Sequence, residues 1–237
     1  MKKHQLVNYW QMKFLATMIS YLPIIAAQAQ SKTEILAEKI ANSTESIKCE
    51  YLIQLAEANI NTYPAQANKQ IHEAIMLADE MSDYELFSNA VIINIKLLCA
   101  SDSIDEALKL KSTLDKVAKR SGLKELQAKA EQTEADLLTR QGKYDKAIDI
   151  YNRLVEECTE SDYHDIAINS ANQLGYIYRE TNRQELSQKS FLKAIEIESH
   201  SDYPLLKAVS LNFLGSHYWR NGQYSQALDY YLQALEI

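Results

Sequence analysis

Cys158, His164 and the carboxylates Glu156, Glu157 and Glu160 stand close together in the chain. A thiol, an imidazole and carboxylates could hold a metal or pass protons. Their spacing matches no ligand pattern, however, and a carboxylate group of this kind reads as the solvated end of a helix. The other histidines, His4, His72, His200 and His217, form no H-E-x-x-H and no other ligand spacing. Cys49, Cys99 and Cys158 are three in number, widely spaced and without a C-x-x-C, so they read as buried apolar fillers. An oxidising compartment would allow a Cys49–Cys99 bridge, which nothing in the sequence itself requires. The glycines fall at turns, packing positions or a junction, which leaves none for a phosphate-cradling loop. No strained nucleophile turn is visible. The chain is therefore expected to carry no catalytic residue, no cofactor and no metal, and to be no enzyme in itself.

The remaining chemistry depends on the elements that position it. The chain has 237 residues but only three Pro and five Gly, too few turn residues for a β-sandwich. Ala67, Ala107, Ala147, Ser187 and Ala227 recur at a step of 40. The same step links Ile71, Lys111, Tyr151, Phe191 and Tyr231, then Ala74, Leu114, Leu154, Ala194 and Ala234. It also links Ala135, Gly175 and Gly215, and Leu98, Leu138, Tyr178 and Tyr218. Within a unit the offsets are i, i+4 and i+7, which is helical. Asp102, Gly142, Asn182 and Gly222 recur between two helical runs, and all are residue types that tolerate a positive φ. Each unit is thus an antiparallel helix pair. A pair cannot bury both of its faces alone, so pairs must stack. Gly175 and Gly215 are expected to let helices approach closely, and Tyr151, Phe191 and Tyr231 to fill the space between units. Ser82-Asp83-Tyr84, Ser161-Asp162-Tyr163 and Ser201-Asp202-Tyr203 lie at unit junctions, where Ser and Asp can cap the next helix. Pro64 and Pro204 suit a first helical turn.

This pattern resembles the tetratricopeptide repeat family. The best match runs through Leu211, Leu214-Gly215, Tyr218, Gly222, Tyr224, Ala227, Tyr231 and Ala234. A second runs through Ala171, Leu174-Gly175, Tyr178, Asn182, Ser187, Phe191 and Ala194, and a third through Ala135, Leu138, Gly142, Tyr144, Ala147 and Tyr151. Residues 48–127 follow on the period alone. A step of 40, longer than the family's usual one, places the chain with its long-repeat branch. The resemblance implies an all-α, right-handed superhelical solenoid of antiparallel helix pairs. Five units are expected, at 48–87, 88–127, 128–167, 168–207 and 208–237, the last incomplete, with a capping helix within 30–47.

The resemblance also implies a partner, a protein or peptide lying in a concave groove lined by the first helices. By register the groove residues are Lys129, Gln132, Asp136, Asn169, Asn172, Tyr176, Arg179, Asn212, Ser216 and Trp219. Amides there would pair with a peptide backbone while rings cover its side chains. Family members that grip a terminal carboxylate use a Lys/Asn/Arg clamp. Asn172 fits one of its positions, but the matching Lys and Arg are missing.

The first 29 residues read as an address. A basic stretch with Lys2, Lys3 and Lys13 precedes the apolar run of residues 14–26, which ends in Ala27-Gln28-Ala29. That is the order of parts in a secretory signal peptide. The run is about 13 residues, short of the roughly 20 that a membrane-spanning helix needs. Cleavage after Ala29 and export to the periplasm of a Gram-negative cell are expected, with no membrane span left afterwards. Removing this segment takes the formal charge from −7 to −10, which disfavours nucleic acid as a partner. The last helical run reaches Ile237 in mid-motif with no glycine cap. That, with the order of parts, is similar to the sensory input region of a bacterial membrane signalling protein, whose output would be a diguanylate cyclase, a histidine kinase or a DNA-binding regulator.

Overall fold

The computed structural model describes residues 44–199 and 203–237. The expected signal peptide, most of the expected capping helix and the Ser201-Asp202 junction lie outside the described residues. Those described form ten helices and no strand, an all-α arrangement. They fall into two compact units divided after Ser103.

In the first unit, α1 (Glu45–Asn59), α2 (Pro64–Glu80) and α3 (Tyr84–Ala100) pack on one another. Cys49, Leu52, Ile53 and Ala56 of α1 meet Ala67, Ile71, Ala74 and Ala78 of α2 and Leu86, Ala90, Ile93 and Leu97 of α3. On α2 and α3 the offsets are i, i+4, i+7 and i+11, one apolar stripe per helix. Asn59 donates to Gln70 at 3.2 Å inside the α1–α2 contact. Cys49 and Cys99 are buried and no disulfide joins them. The Cys49 thiol points to the Ala74 carbonyl at 3.3 Å, and burial, aided by Asp83, pushes its pKa up to about 11.

The second unit holds α4 (Ile104–Ser121), α5 (Lys124–Arg140), α6 (Tyr144–Glu160), α7 (His164–Glu180), α8 (Gln184–Glu198), α9 (Pro204–Arg220) and α10 (Tyr224–Leu235). Each helix packs on the next, and the first helices also touch across pairs, α5 on α7 and α7 on α9. Tyr151 and Phe191 are fully buried. A Cβ placed on Gly175 would collide with the Phe191 ring, and one on Gly215 would come within 2.8 Å of the Tyr231 ring. Both glycines therefore receive a ring from the second helix of their own pair, and Gly215 also faces the Ala227 backbone carbonyl of that helix, 3.2 Å from where a Cβ would stand. The rings also reach the next pair, as expected: Phe191 packs with Leu214 and Tyr218, and Tyr151 with Leu174 and Ile177. Lys111 takes the ring's place on α4, buried and joined to Asp115 at 2.6 Å and Glu134 at 3.6 Å.

Helix ends keep the beat too. Among the described residues, positive φ recurs at steps of twenty from Ser82 and Asp102 in the first unit through Gly122, Gly142, Asp162 and Asn182 in the second, and again at Gly222, forty further on. After several of them the next N–H closes the helix end on a carbonyl five residues back, as in Lys143 to Leu138 at 2.9 Å and Arg183 to Tyr178 at 2.7 Å. A Cβ on Gly142 would meet nothing within 4 Å, so only the backbone resists a side chain there. Gly142→Ala should cost about 1 kcal/mol and Asn182→Gly should stabilise slightly. Urea unfolding of the two variants checks this; equal, unchanged midpoints would contradict it.

The Ser-Asp-Tyr junctions are not equivalent. Asp83 caps α3, accepting from the Glu85 and Leu86 N–H groups at 3.0 Å each. At the next matching string the left-handed residue is Asp162, and the N-cap is Tyr163, which makes no side-chain cap. The strings are one residue out of step with the period of 40, and the backbone follows the period. Pro64 and Pro204 both open their helices. The first helices start three or four residues ahead of the boundaries placed on the repeat rows, because those rows mark packing positions and not caps.

Candidate binding face

The ten groove residues come from α5, α7 and α9, all in the second unit. Asn212 is exposed, Asn172 is buried, and the other eight are intermediate. They sit on successive helices at matching heights because the step of 40 returns each residue to the same place on the next pair. Gln132, Asn172 and Asn212 form one such row, and Asp136, Tyr176 and Ser216 another.

Two of these side chains are committed to the fold. Asn172 is 2% exposed and donates to Ser210 Oγ at 2.9 Å. Ser210 spends its own proton on the Leu206 carbonyl at 3.0 Å, so its oxygen can only accept. One repeat earlier Gln132 donates to Ser170 Oγ and to the Ile166 carbonyl, both at 3.0 Å. Two of the four amides expected to meet a peptide, Gln132 and Asn172, are thus struts between neighbouring first helices. Asn172 in particular is not a surface that a ligand can touch, which removes the last member of the carboxylate clamp. Their serine partners were missed in the sequence, although Ser170 and Ser210 are themselves one step of 40 apart.

The rest of the face is polar and aromatic. Lys129 pairs with Glu125 at 2.7 Å on its own helix. Asp136 accepts the Tyr151 hydroxyl at 2.5 Å, and this pairing, after burial, raises the phenol's pKa. Arg179 lies with its guanidinium 5.4 Å from the centre of the Tyr176 ring and donates to Ser216 at 3.2 Å. Desolvation, followed by the charge of Arg220, lowers the Arg179 pKa. Trp219 meets Tyr224 edge to face at 4.8 Å.

Behind the face, His217 is 2% exposed and was read in the sequence only as an unmatched imidazole. Ser187 donates to the Gly175 carbonyl at 2.8 Å, so it must accept from His217 Nδ1 at 3.2 Å. Nε2 is then the acceptor for the Asn221 amide at 3.1 Å. Desolvation, followed by Arg179, lowers the His217 pKa below 6.5. The unfolded chain therefore takes up this proton first as pH falls. The contribution of His217 to stability is full above 6.5 and is lost as pH falls from there through the lower folded value. Denaturation midpoints of wild type and His217→Gln at pH 7.5 and 5.5 check it. The wild type should lose more on acidification, and equal losses would contradict the assignment.

Cys158 is buried, and burial followed by Glu157 raises its pKa to about 11, which makes it a poor metal ligand. Among the described residues no three of His, Cys, Asp and Glu gather as a metal site, and no helix is long and apolar enough to cross a membrane.

Two family models, both described as tetratricopeptide repeat, match residues 127–199 and 210–237. No curated protein matches the sequence. The chain is similar in structure to BtubC from P. vanneervenii, with 18% identity and a TM-score of 0.55, over 89% of this chain and 88% of that one. It is also similar to a Rap protein complexed with competence and sporulation factor, with 13% identity and a TM-score of 0.60, over 82% of this chain and 64% of the Rap protein. A third similar structure is the quorum sensor NprR from B. thuringiensis, at 14% identity and a TM-score of 0.51, over 100% of this chain and 66% of that one.

Proposed function

Since the chain belongs to the tetratricopeptide repeat family, we propose that it is an exported binding scaffold whose second unit holds a segment of another protein, or a peptide, on its first-helix face. The observation that carries this is the face itself. Lys129 and Asp136 on α5, Asn169 and Tyr176 on α7, and Asn212, Ser216 and Trp219 on α9 share this face of the first helices, which the Gln132–Ser170 and Asn172–Ser210 struts tie together. A fixed row of polar groups and rings binds an extended segment at low ordering cost. The Rap protein complexed with competence and sporulation factor and the quorum sensor NprR support recognition as a use of this fold. A net charge of −10 after signal removal favours a protein or peptide over nucleic acid.

Pull-down with wild type and with an Asn169/Tyr176/Trp219 triple alanine tests the face. Capture should fall about tenfold or more, and unchanged capture would remove the assignment. Export is tested by sequencing the mature N-terminus. Gln30 is expected there, and an intact Met1 would contradict cleavage. A second reading makes the same unit the sensory input of a membrane signalling protein. It draws on the similarity to a quorum sensor and on the order of parts, and the coding sequence beyond codon 237 decides it.

A further inference from the structure

The end of the face formed by the last turns of α7 and α9 carries charge that is not balanced pairwise. Arg179 and Arg220 both lie against Glu180, at 3.6 Å and 2.5 Å. Two guanidiniums thus share one carboxylate. The Arg179 side chain is 9% exposed, its Nε is buried without a hydrogen-bond partner, and Ser216 and the Tyr176 ring fix its position. Arg220 is 51% exposed and so remains open to a ligand. The cation pair is preorganised and partly desolvated, the setting in which an added carboxylate gains most.

We infer that the bound segment places an acidic side chain against Arg220, with the charge of the mostly buried Arg179 adding to the attraction; this rests on the proposed first-helix face. Arg179 and Arg220 lie about one helical turn beyond Tyr176 and Ser216, toward the helix ends. A chain lying across the middle of the helices reaches them with a side chain, while its own ends lie elsewhere. The occupant is therefore an internal Asp or Glu of an extended peptide, with Trp219 beside it to cover a neighbouring apolar residue.

The probe is an array of random decapeptides, acetylated and amidated, with a parallel set bearing free C-terminal carboxylates. Wild type should select peptides with Asp or Glu at one internal position. Replacing that residue by Asn or Gln should weaken binding about tenfold. Arg220→Gln, which alters a half-exposed side chain, should erase the preference and the salt dependence of binding while other peptide contacts persist. Arg179→Gln should do the same, with its melting curve read alongside. Selection without an acidic preference, or an acidic preference unchanged in Arg220→Gln, overturns the inference and leaves the binding face standing. Selection of the free-carboxylate set alone also overturns it. If no peptide is selected and the Asn169/Tyr176/Trp219 variant behaves like wild type, the face itself fails first.

Discussion

Phe191→Ala should lower the stability of the second unit by about 3–5 kcal/mol. The ring is fully buried, lies over Gly175, stacks on Phe213 at 5.5 Å and meets His217 edge-on at 6.2 Å. Its loss would leave a cavity lined by two helices of one pair and the first helix of the next. Because stacked repeats contact only their neighbours, the damage should concentrate in α7 to α10, and amide exchange there should accelerate more than in α5 and α6. The partner residue gives a sharper test. Gly175→Ala alone should destabilise by about 1–3 kcal/mol, since its Cβ meets the ring. In the Phe191→Ala background the same methyl enters the vacated space and adds helix propensity worth about 1 kcal/mol. The sign of the substitution should therefore reverse. Urea unfolding of the four-member cycle measures this, and additive effects would show that the ring and the glycine do not share the contact.

Tyr151→Ala should cost about the same, roughly 3–5 kcal/mol, one repeat earlier. Here the ring is fully buried against Ala135 and Ala147, and its hydroxyl reaches Asp136. Tyr151→Phe separates the two contributions. It keeps the packing but removes the phenolic donor from Asp136, at a cost of about 1–3 kcal/mol. If Tyr151→Phe matched wild type in a melting curve, Asp136 would draw nothing from the phenol. That would also weaken the view that the binding face is tied to the core at this point.

Much of this architecture was legible because the demands at each position are narrow. A left-handed residue must be Gly, Asn, Asp or nearly so, and Asp102, Gly142, Asn182 and Gly222 all have positive φ at the positions read as turns. The rows of small and aromatic residues were equally visible. That Phe191 reaches the next pair was legible too; that it also lies over Gly175 of its own pair was not, since side-chain direction decides it. The junctions misled for another reason. Ser-Asp-Tyr is a conspicuous string, yet Asp83 caps a helix while Asp162 occupies a left-handed turn, because the string is shifted by one residue against the period.

The face was the hardest part to read. Register placed ten residues on the first helices α5, α7 and α9 but could not show that Asn172 faces Ser210, because that contact spans 38 residues and a serine there looks merely small. Glu180 and Arg220 were missed because each stands at a helix end, where a charge reads as solvated until its neighbour is known. His217 gave no signal, as a single imidazole has no sequence partner to mark it as buried.

Photo-crosslinker scanning of the protein in its own cells tests the binding face most directly. A photoreactive residue at Asn169 or Trp219 should capture one partner. The same residue at Lys189, beside a shallow depression on the second-helix side of the stack, should not. Capture from Lys189 with none from Asn169 or Trp219 would place the partner on the opposite side and contradict the account.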